Sequence, residues 1–434
     1  MPRTIVRPLQ EFLHWEAASG LVLLAATAAA LIWANLSEGT YQDVWSTEIS
    51  LRLGDDEVSQ DLGHLVDDGL MALFFFVVGM EVKRELAVGE LSDRRAALLP
   101  LFAAVGGMVA PAAIFLAATG GGEGANGWGI PMATDIAFAL GVLALLGRRV
   151  PAALAAFLLG LAVIDDIGAI VVIAIFYSGG VEAGWLVGAV ALLGAMMLAN
   201  RLQIRWIGVY IVLGLAVWLC TVRSGVHATI AGVAIGLLTP ARPFQPPAAV
   251  SREAYRIADD TSDQPADPDA DAHAWRRLAS LSRESISPLA RVEHALHPWT
   301  SFAVLPIFAL ANAGIVLDGE TLRAAAESTV TLGVIAGLVL GKTVGIAGGA
   351  LLATRLRLAR LPYGVGRLEL VGVGAVAGIG FTVSLFIAGL AYEDAALASA
   401  AKIGILSGSV LAAGLGSALL LLAFRRRARA GGSP

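Results

Sequence analysis

Two adjacent aspartates, Asp165 and Asp166, stand inside AALAAFLLGLAVIDDIGAIVVIAIFY, residues 152–177. That run is long and apolar enough to cross a bilayer as a helix. One ionised carboxylate in mid-span costs roughly 3 kcal/mol or more, and two neighbours also repel each other. Leu or Ala would pack better at both positions, so packing does not explain the pair. The chemistry these residues can do is reversible capture of something positive, a proton or a metal cation. Consecutive helical residues point about 100° apart, so one carboxylate can face a cavity while the other faces a neighbouring helix. A proton and a cation would compete for the same oxygens, and the two groups titrate as a coupled pair.

The other ionisable residues in or at the edges of apolar runs are Glu16, Asp67, Asp68, Glu81, Asp135, His227 and Lys342. Lys342, in GLVLGKTVGIAGG, needs a counter-charge, from the aspartate pair or from Asp135. It reads either as a stabilising partner or as a proton carrier. Asp135 lies in GWGIPMATDIAFALG, residues 127–141, where Pro131 and flanking glycines weaken the helix around Thr134-Asp135. A second weak point is GVGAVAGIGFTVSLF, residues 372–386, with Gly378, Gly380 and Thr382. Two broken spans at corresponding places point to a transport site built from half-helix ends. Those ends carry partial charges; an aspartate among N-ends and a lysine among C-ends would neutralise them. Asp135 therefore reads as structural or as a participant in ion passage. His227 is a lone histidine at a span edge, a position that favours a structural role.

The elements that must position these groups are helices in a membrane. The chain has 434 residues, 57% of them hydrophobic, with mean hydropathy +0.75. A soluble domain is nearer 45–50% apolar. Its N-terminus shows no small-residue cleavage site behind a short apolar stretch, so no cleaved signal peptide is expected. The lone Cys220 allows no internal disulfide.

Twelve helical segments are expected, near 12–35, 62–82, 96–118, 128–147, 151–177, 181–200, 204–222, 224–240, 298–316, 328–350, 366–391 and 399–424. Lys and Arg concentrate in cytoplasmic segments. With both termini cytoplasmic, 25 of the 30 basic residues fall inside and four (Arg52, Arg223, Arg323 and Lys402) fall outside, while Lys342 lies within a span. One helix more or fewer would scramble that alternation. The expected organisation is membrane helices over 1–241 and 291–424, a cytoplasmic insert at 242–290 and a basic cytoplasmic tail at 425–434. The insert, rich in Pro, Asp and Ala, reads as flexible and unable to build a core. Residues 41–61 alternate through WSTEISLRL and turn at Gly54-Asp55-Asp56, a hairpin signal; an irregular loop is the alternative. An exposed two-stranded hairpin is marginal alone, so pairing with a second subunit is one reading of it.

Several stretches resemble the bacterial NhaA-type sodium/proton antiporters. They are LMALFFFVVGMEVKREL (70–86), GIPMATDIAFALGVLALLGRRVP (129–151), LAVIDDIGAI (161–170), SGVHATIAGV (224–233), RVEHALHPW (291–299), FALANAG (308–314), GKTVGI (341–346) and GIGFTVSLFIA (378–388). The resemblance runs from about residue 10 to 420, apart from the insert. It implies an all-α polytopic fold of 12 transmembrane helices in the bacterial inner membrane. It also implies inverted-topology repeats and two discontinuous helices crossing near the midplane, with a small extracytoplasmic β-hairpin. The implied activity is export of Na⁺ or Li⁺ in exchange for external protons, electrogenic and pH-regulated, with no cofactor and no enzyme chemistry. The implied cation ligand is Asp166, with Asp165 as second carboxylate paired to Lys342, and Thr134 and Asp135 at the unwound crossing. Glu81, Arg84, Glu85, Glu293, His294 and His297 match the family's cytoplasmic pH-response cluster. Ala290, Thr343, Asp67 and the long insert depart from the family pattern and bear on pH set-point and regulation.

The implied partners are Na⁺, Li⁺, H⁺ and the lipid bilayer, with a homodimer through 41–61 and no nucleic acid. Other classes fit less well. An intramembrane aspartyl protease needs its aspartates on facing helices. A channel gains from rings of symmetric ligands. A sodium-coupled solute transporter, the runner-up, needs a larger cavity with recognition residues.

Overall fold

The structure is a computed structural model that describes residues 3–53, 56–202, 204, 206–263 and 268–429. It is almost wholly helical. Each of the twelve apolar segments is helical through most of its length. Among the described residues, six helices are long and apolar enough to cross a membrane: Ala18–Leu36, Arg95–Thr119, Ala152–Phe176, Ala183–Arg201, Thr329–Arg355 and Ala395–Arg429. Two bent pairs bring the number to eight, and Ile207–Arg223 and Ala228–Leu238 are shorter apolar helices. The expected segments at 62–82 and 298–316 are each divided by a wide i→i+5 turn, over Leu65–Leu70 and Thr300–Val304. A third wide turn, Gly337–Gly341, immediately precedes Lys342. Such turns add a residue to the helix and often re-aim side chains at functional places.

The two bent pairs are the weak points noted above. Gly124–Met132 and Ile136–Leu146 meet at 43°, and Arg367–Val376 and Phe381–Ala391 meet at 49°. Pro131 cannot donate a backbone N–H, and the run Gly378-Ile379-Gly380 favours chain breaks over helix. The breaks touch: the Asp135 N–H donates to Ile379 O at 2.6 Å, and Ser384 Oγ donates to Ile130 O at 2.7 Å.

Helices around the crossing approach closely where glycines face each other. A Cβ on Gly106 would overlap Gly345 O, one on Gly345 would overlap Gly106 O, and one on Gly349 would overlap Phe102 O. The Arg94–Thr119 and Lys342–Arg355 helices therefore touch backbone to backbone. In a bilayer, where lipid tails are as apolar as Leu, small residues and dispersion hold such pairs together. Ala228–Leu238 seats against Met71–Ala87 in the same way, through Gly232 on Ala72 O and Gly236 on Phe76 O.

Between the first span and the 62–82 segment, Glu48–Leu53 and Asp56–Asp61 pair antiparallel, with Ile49 opposite Gln60 and Leu51 opposite Val58. The expected turn residues Gly54 and Asp55 lie outside the described residues. The insert differs from the coreless segment expected. It contains two helices, Pro247–Asp263 and Pro268–Glu284, while 264–267 lie outside the described residues. Ile257 is buried, Arg277 pairs with Glu253 at 3.2 Å, and Gln245 N–H donates to Glu284 O at 3.1 Å. The physical reason is spacing. Val250, Ala254 and Ile257 on one helix, and Leu278 and Leu281 on the other, recur every three or four residues, a pattern diluted by the surrounding Asp and Pro.

The Gly106–Gly345 contact sets where Lys342 sits, one turn away. Gly345→Ala is expected to force the two helices apart and to lower stability by about 1–3 kcal/mol. Gly348→Ala, with open space at its Cβ, is expected to leave it unchanged. Thermal unfolding of both variants in detergent checks this.

Candidate functional site

The adjacent aspartates leave the Ala152–Phe176 helix in two directions. Asp165 is 1% exposed and accepts a hydrogen bond from Lys342 Nζ on Oδ2 at 2.6 Å. Lys342 is wholly buried. One turn along its helix, Ile346 packs against Gly107, where a Cβ would overlap the Ile346 side chain. The other oxygen, Asp165 Oδ1, is buried with no hydrogen-bond partner. Asp166, about 100° further round the helix, lines a cavity of about 310 Å³. It makes no hydrogen bond to another described residue, and its electrostatic neighbours are Asp165, Glu81, Lys342 and Asp135. One aspartate is thus held by an ammonium and the other is open to whatever fills the cavity.

Lys342 was expected either among half-helix C-ends or beside a carboxylate. The structure pairs it with Asp165. The C-end of Arg367–Val376 is met instead by a hydroxyl, with Thr134 Oγ1 donating to Ala377 O at 2.8 Å.

Asp135 caps both half-helices that start at the crossing. Its Oδ1 accepts from Phe138 N–H at 3.2 Å, at the start of Ile136–Leu146. Its Oδ2 accepts from Thr382 N–H at 3.1 Å and from Thr382 Oγ1 at 2.6 Å, at the start of Phe381–Ala391. One carboxylate meets the partial positive charge of two helix N-termini, and unpaired N–H groups inside a membrane are costly. Thr134, Asp135 and Thr382 all line the cavity with Asp166.

The same cavity is also lined by Glu81, Arg84, Glu85 and His297. Arg84 pairs with Glu293 and lies 3.9 Å from Glu85 Oε1. Of the six residues expected to respond to pH, Glu81, Arg84, Glu85 and His297 line the cavity, and Glu293 joins them through Arg84. His294 does not: it is exposed and outside the cavity lining. His227 is elsewhere too. It opens the Ala228–Leu238 helix, with Nδ1 3.0 Å from Thr229 Oγ1 and Nε2 3.7 Å from Asp68 Oδ1.

Three hydroxyl residues of the lining, Thr300, Ser301 and Thr382, were not among the expected site residues. Thr382 lay within a noted weak point, and the register of a broken helix decides which of its residues faces inward. Thr300 and Ser301 open a wide turn that has no signal in a helical repeat. Among the described residues, no three His, Cys, Asp or Glu converge as a metal-holding group; the site offers two carboxylates and hydroxyls, oxygens suited to a hard cation.

A family model described as Na⁺/H⁺ antiporter 1 matches residues 10–420. The chain is similar to the Na⁺/H⁺ antiporter NhaA of an Anaeromyxobacter species, 48% identical over 431 residues, covering 98% of this chain and 93% of that one. It is similar to the Na⁺/H⁺ antiporter NhaA 2 of Myxococcus xanthus, at 47% over 418 residues and 95% and 88% coverage. Against the NhaA of Cronobacter sakazakii, identity is 44% over 421 residues, with 96% and 98% coverage.

Breaking one side of a buried ion pair leaves a charge with no partner, at a cost of about 3–5 kcal/mol. Lys342→Met is expected to lose stability on that scale, and Lys342→Met with Asp165→Asn to recover most of it. Melting of the purified variants at one pH measures both. A double variant as unstable as the single one would show that the pairing is not what stabilises the site.

Proposed function

The chain belongs to the Na⁺/H⁺ antiporter family, and on that premise we propose that it exports Na⁺ or Li⁺ in exchange for external protons. In this reading Na⁺ and H⁺ compete for Asp165 and Asp166, and the protein works by alternating access. The chain is a multi-pass membrane protein. We place it in the bacterial inner membrane with twelve spans, both termini cytoplasmic and the crossing at the centre of two inverted repeats. Residues 1–241 and 291–424 form the membrane part, 242–290 and the 425–434 tail are cytoplasmic, and the 41–61 hairpin lies outside, where it joins two copies.

The observation that carries the reading is the division of labour between neighbours: Asp166 on the wall of a cavity, Asp165 on Lys342. With the cavity open to the cytoplasm, Na⁺ sheds part of its water and binds Asp166, helped by Asp165 Oδ1 and the oxygen of Thr134. Neutralising the carboxylate lowers the cost of moving the loaded site past apolar surroundings. The assembly then opens outward, external protons displace the cation, and the protonated site returns. If Lys342 also gives up and regains its proton, two protons enter for each cation that leaves. The net charge moved lets the membrane potential drive export, at about 2.3 kcal/mol per charge for each 100 mV. Asp135 keeps both half-helix N-ends neutralised throughout. The cluster of Glu81, Arg84, Glu85, Glu293 and His297 at the mouth regulates entry with pH. A solute transporter is less well supported, because Phe74 is the one Phe, Tyr or Trp ring among the lining residues.

Adding NaCl or LiCl to energised everted vesicles is expected to dissipate the pH gradient for the wild type but not for Asp166→Asn. The apparent KM for Na⁺ is expected to rise as pH falls, by about tenfold per unit for each competing proton. Fluorescence dequenching between pH 6.5 and 9 reads both. A wild type silent to both cations at every pH would overturn the proposal.

A further inference from the structure

The Met71–Ala87 helix and its leading turn Leu65–Leu70 reach past the site on both sides. Glu81 is at the cavity and Asp67 is fourteen residues away, about 20 Å along a helix. The cavity lies on the Glu81 side of the crossing. On the Asp67 side, the half-helix Phe381–Ala391 is roofed by rings. Phe386, 3% exposed, packs against Phe75 at 5.6 Å, Phe308 at 6.2 Å and His227 at 5.1 Å between ring centroids. Those rings come from three different helices: Met71–Ala87, Leu305–Asn312 and the start of Ala228–Leu238.

One turn beyond the rings is a polar layer. Asn312 Nδ2 donates to Asp67 Oδ1 at 2.7 Å and to Phe308 O at 3.3 Å. Two acceptors around one amide nitrogen fix which way the amide points. Asn312 is four residues from Phe308 and Asp67 is eight from Phe75, so on each helix the polar group and the ring share a face. Met71, wholly buried, lies midway between Asp67 and Phe75. The Asn312 end of its helix is anchored in turn. Tyr41 Oη donates to the carbonyls of Ala311 at 2.6 Å and Leu310 at 2.9 Å, and accepts from Gly314 N–H at 3.2 Å. Burial pushes the Tyr41 phenol up to about 12, so it remains a donor at physiological pH. Other groups near Asp67 are Lys402, Asp68 and His64.

We propose that Asp67 and Asn312 are the bolt of an outer gate whose seal is Phe386 against Phe75 and Phe308. Opening the site outward means lifting Phe386 away from those rings. The rings alone resist this by dispersion, which falls off within an ångström or so. The bolt adds a directional, charge-assisted bond between the helices that carry Phe75 and Phe308, so the two rings that hold Phe386 cannot spread to release it. It favours the state open at Glu81, and each transport cycle breaks and remakes it. This rests on the proposed orientation, with the Asp67 end outside.

The test uses the full-length protein with Cys220→Ser and one reporter, Met71→Cys, between bolt and seal. A membrane-impermeant thiol reagent is added to right-side-out vesicles and, separately, to everted ones. Asn312→Ala is expected to raise the outside labelling rate roughly tenfold, the population shift that follows loss of a hydrogen bond to a charged group. The reciprocal swap, Asp67→Asn with Asn312→Asp, rebuilds an amide-to-carboxylate bond and is expected to return the rate to near that of the parent. An Asn312→Ala rate equal to the parent's overturns the bolt. So does a swap that labels as fast as Asn312→Ala, since a merely misfolded outer region would not be rescued by exchanging the two groups. Labelling that rises from the everted side instead would overturn the orientation behind the proposed function, while the ratio between variants would still decide on the bolt.

Discussion

The ion pair between Lys342 and Asp165 sets the terms for everything around it. Two full charges that are essentially inaccessible to solvent are tolerable in hydrocarbon only at hydrogen-bond distance. Geometry must therefore be held tightly on both sides. On the lysine side it is held by the backbone contact of Gly106 with Gly345, the packing of Ile346 on Gly107 and the wide turn before Lys342. On the aspartate side it is held by a long, unbroken helix. The lysine lies within electrostatic reach of Asp166 as well as Asp165 but hydrogen-bonds only the latter. A single cation beside two carboxylates leaves the group one charge short of neutrality, and in the proposed cycle a proton or Na⁺ supplies that missing charge.

The crossing solves a second electrostatic problem with one residue. Breaking two apolar helices exposes N–H groups at two N-ends and carbonyls at two C-ends. Asp135 takes the N-ends of Ile136–Leu146 and Phe381–Ala391 together, while Thr134 serves a carbonyl of the opposite chain. Both oxygens of Asp135 are engaged, whereas Asp165 keeps an oxygen without a hydrogen-bond partner and Asp166 bonds no other described residue. Of the three carboxylates, those on the unbroken helix are the ones with capacity for a ligand. The broken helices shape the floor of the cavity and neutralise themselves, so their field does not compete with the cargo.

Much of this was legible in the chain because hydrocarbon punishes charge so heavily. Asp165, Asp166, Asp135 and Lys342 stood out against long apolar runs, and the two breaks were marked by Pro131 and by Gly378 and Gly380. The adjacency of the aspartates was enough to anticipate two different surroundings, since helix geometry separates neighbours by about 100°. What composition could not convey was pairing. Whether Lys342 would meet Asp165, Asp135 or a helix C-end depends on interhelical register, which is set by glycine contacts far apart in sequence. Thr300 and Ser301 were hidden by a wide turn, because an extra residue shifts every later side chain off the 3.6-residue repeat. In the insert, read as flexible and unable to build a core, a sparse apolar spacing was sufficient for two helices.

The same register explains why one helix serves both sides of the crossing. Met71–Ala87 presents Glu81 and Val77 to the cavity and Phe75 to the ring layer. Its contact with Ala228–Leu238 runs through Gly232 and Gly236, where backbone meets backbone. A pair seated that closely has little room to slide, because any shift drives a carbonyl into a Cα. The Phe381–Ala391 half-helix is different: it meets Met71–Ala87 and Leu305–Asn312 through rings, and Thr382 and Val383 at its start line the cavity. Rings can part and re-form at a cost spread over many weak contacts, while glycine-packed backbones cannot. The compliant surface is therefore the one beside the crossing, and the stiff surface is the one between Met71–Ala87 and Ala228–Leu238. A motion that exposes Asp166 to the opposite side would follow that boundary, carrying the crossing, the aspartate helix and Lys342 together so that the buried ion pair is never pulled apart.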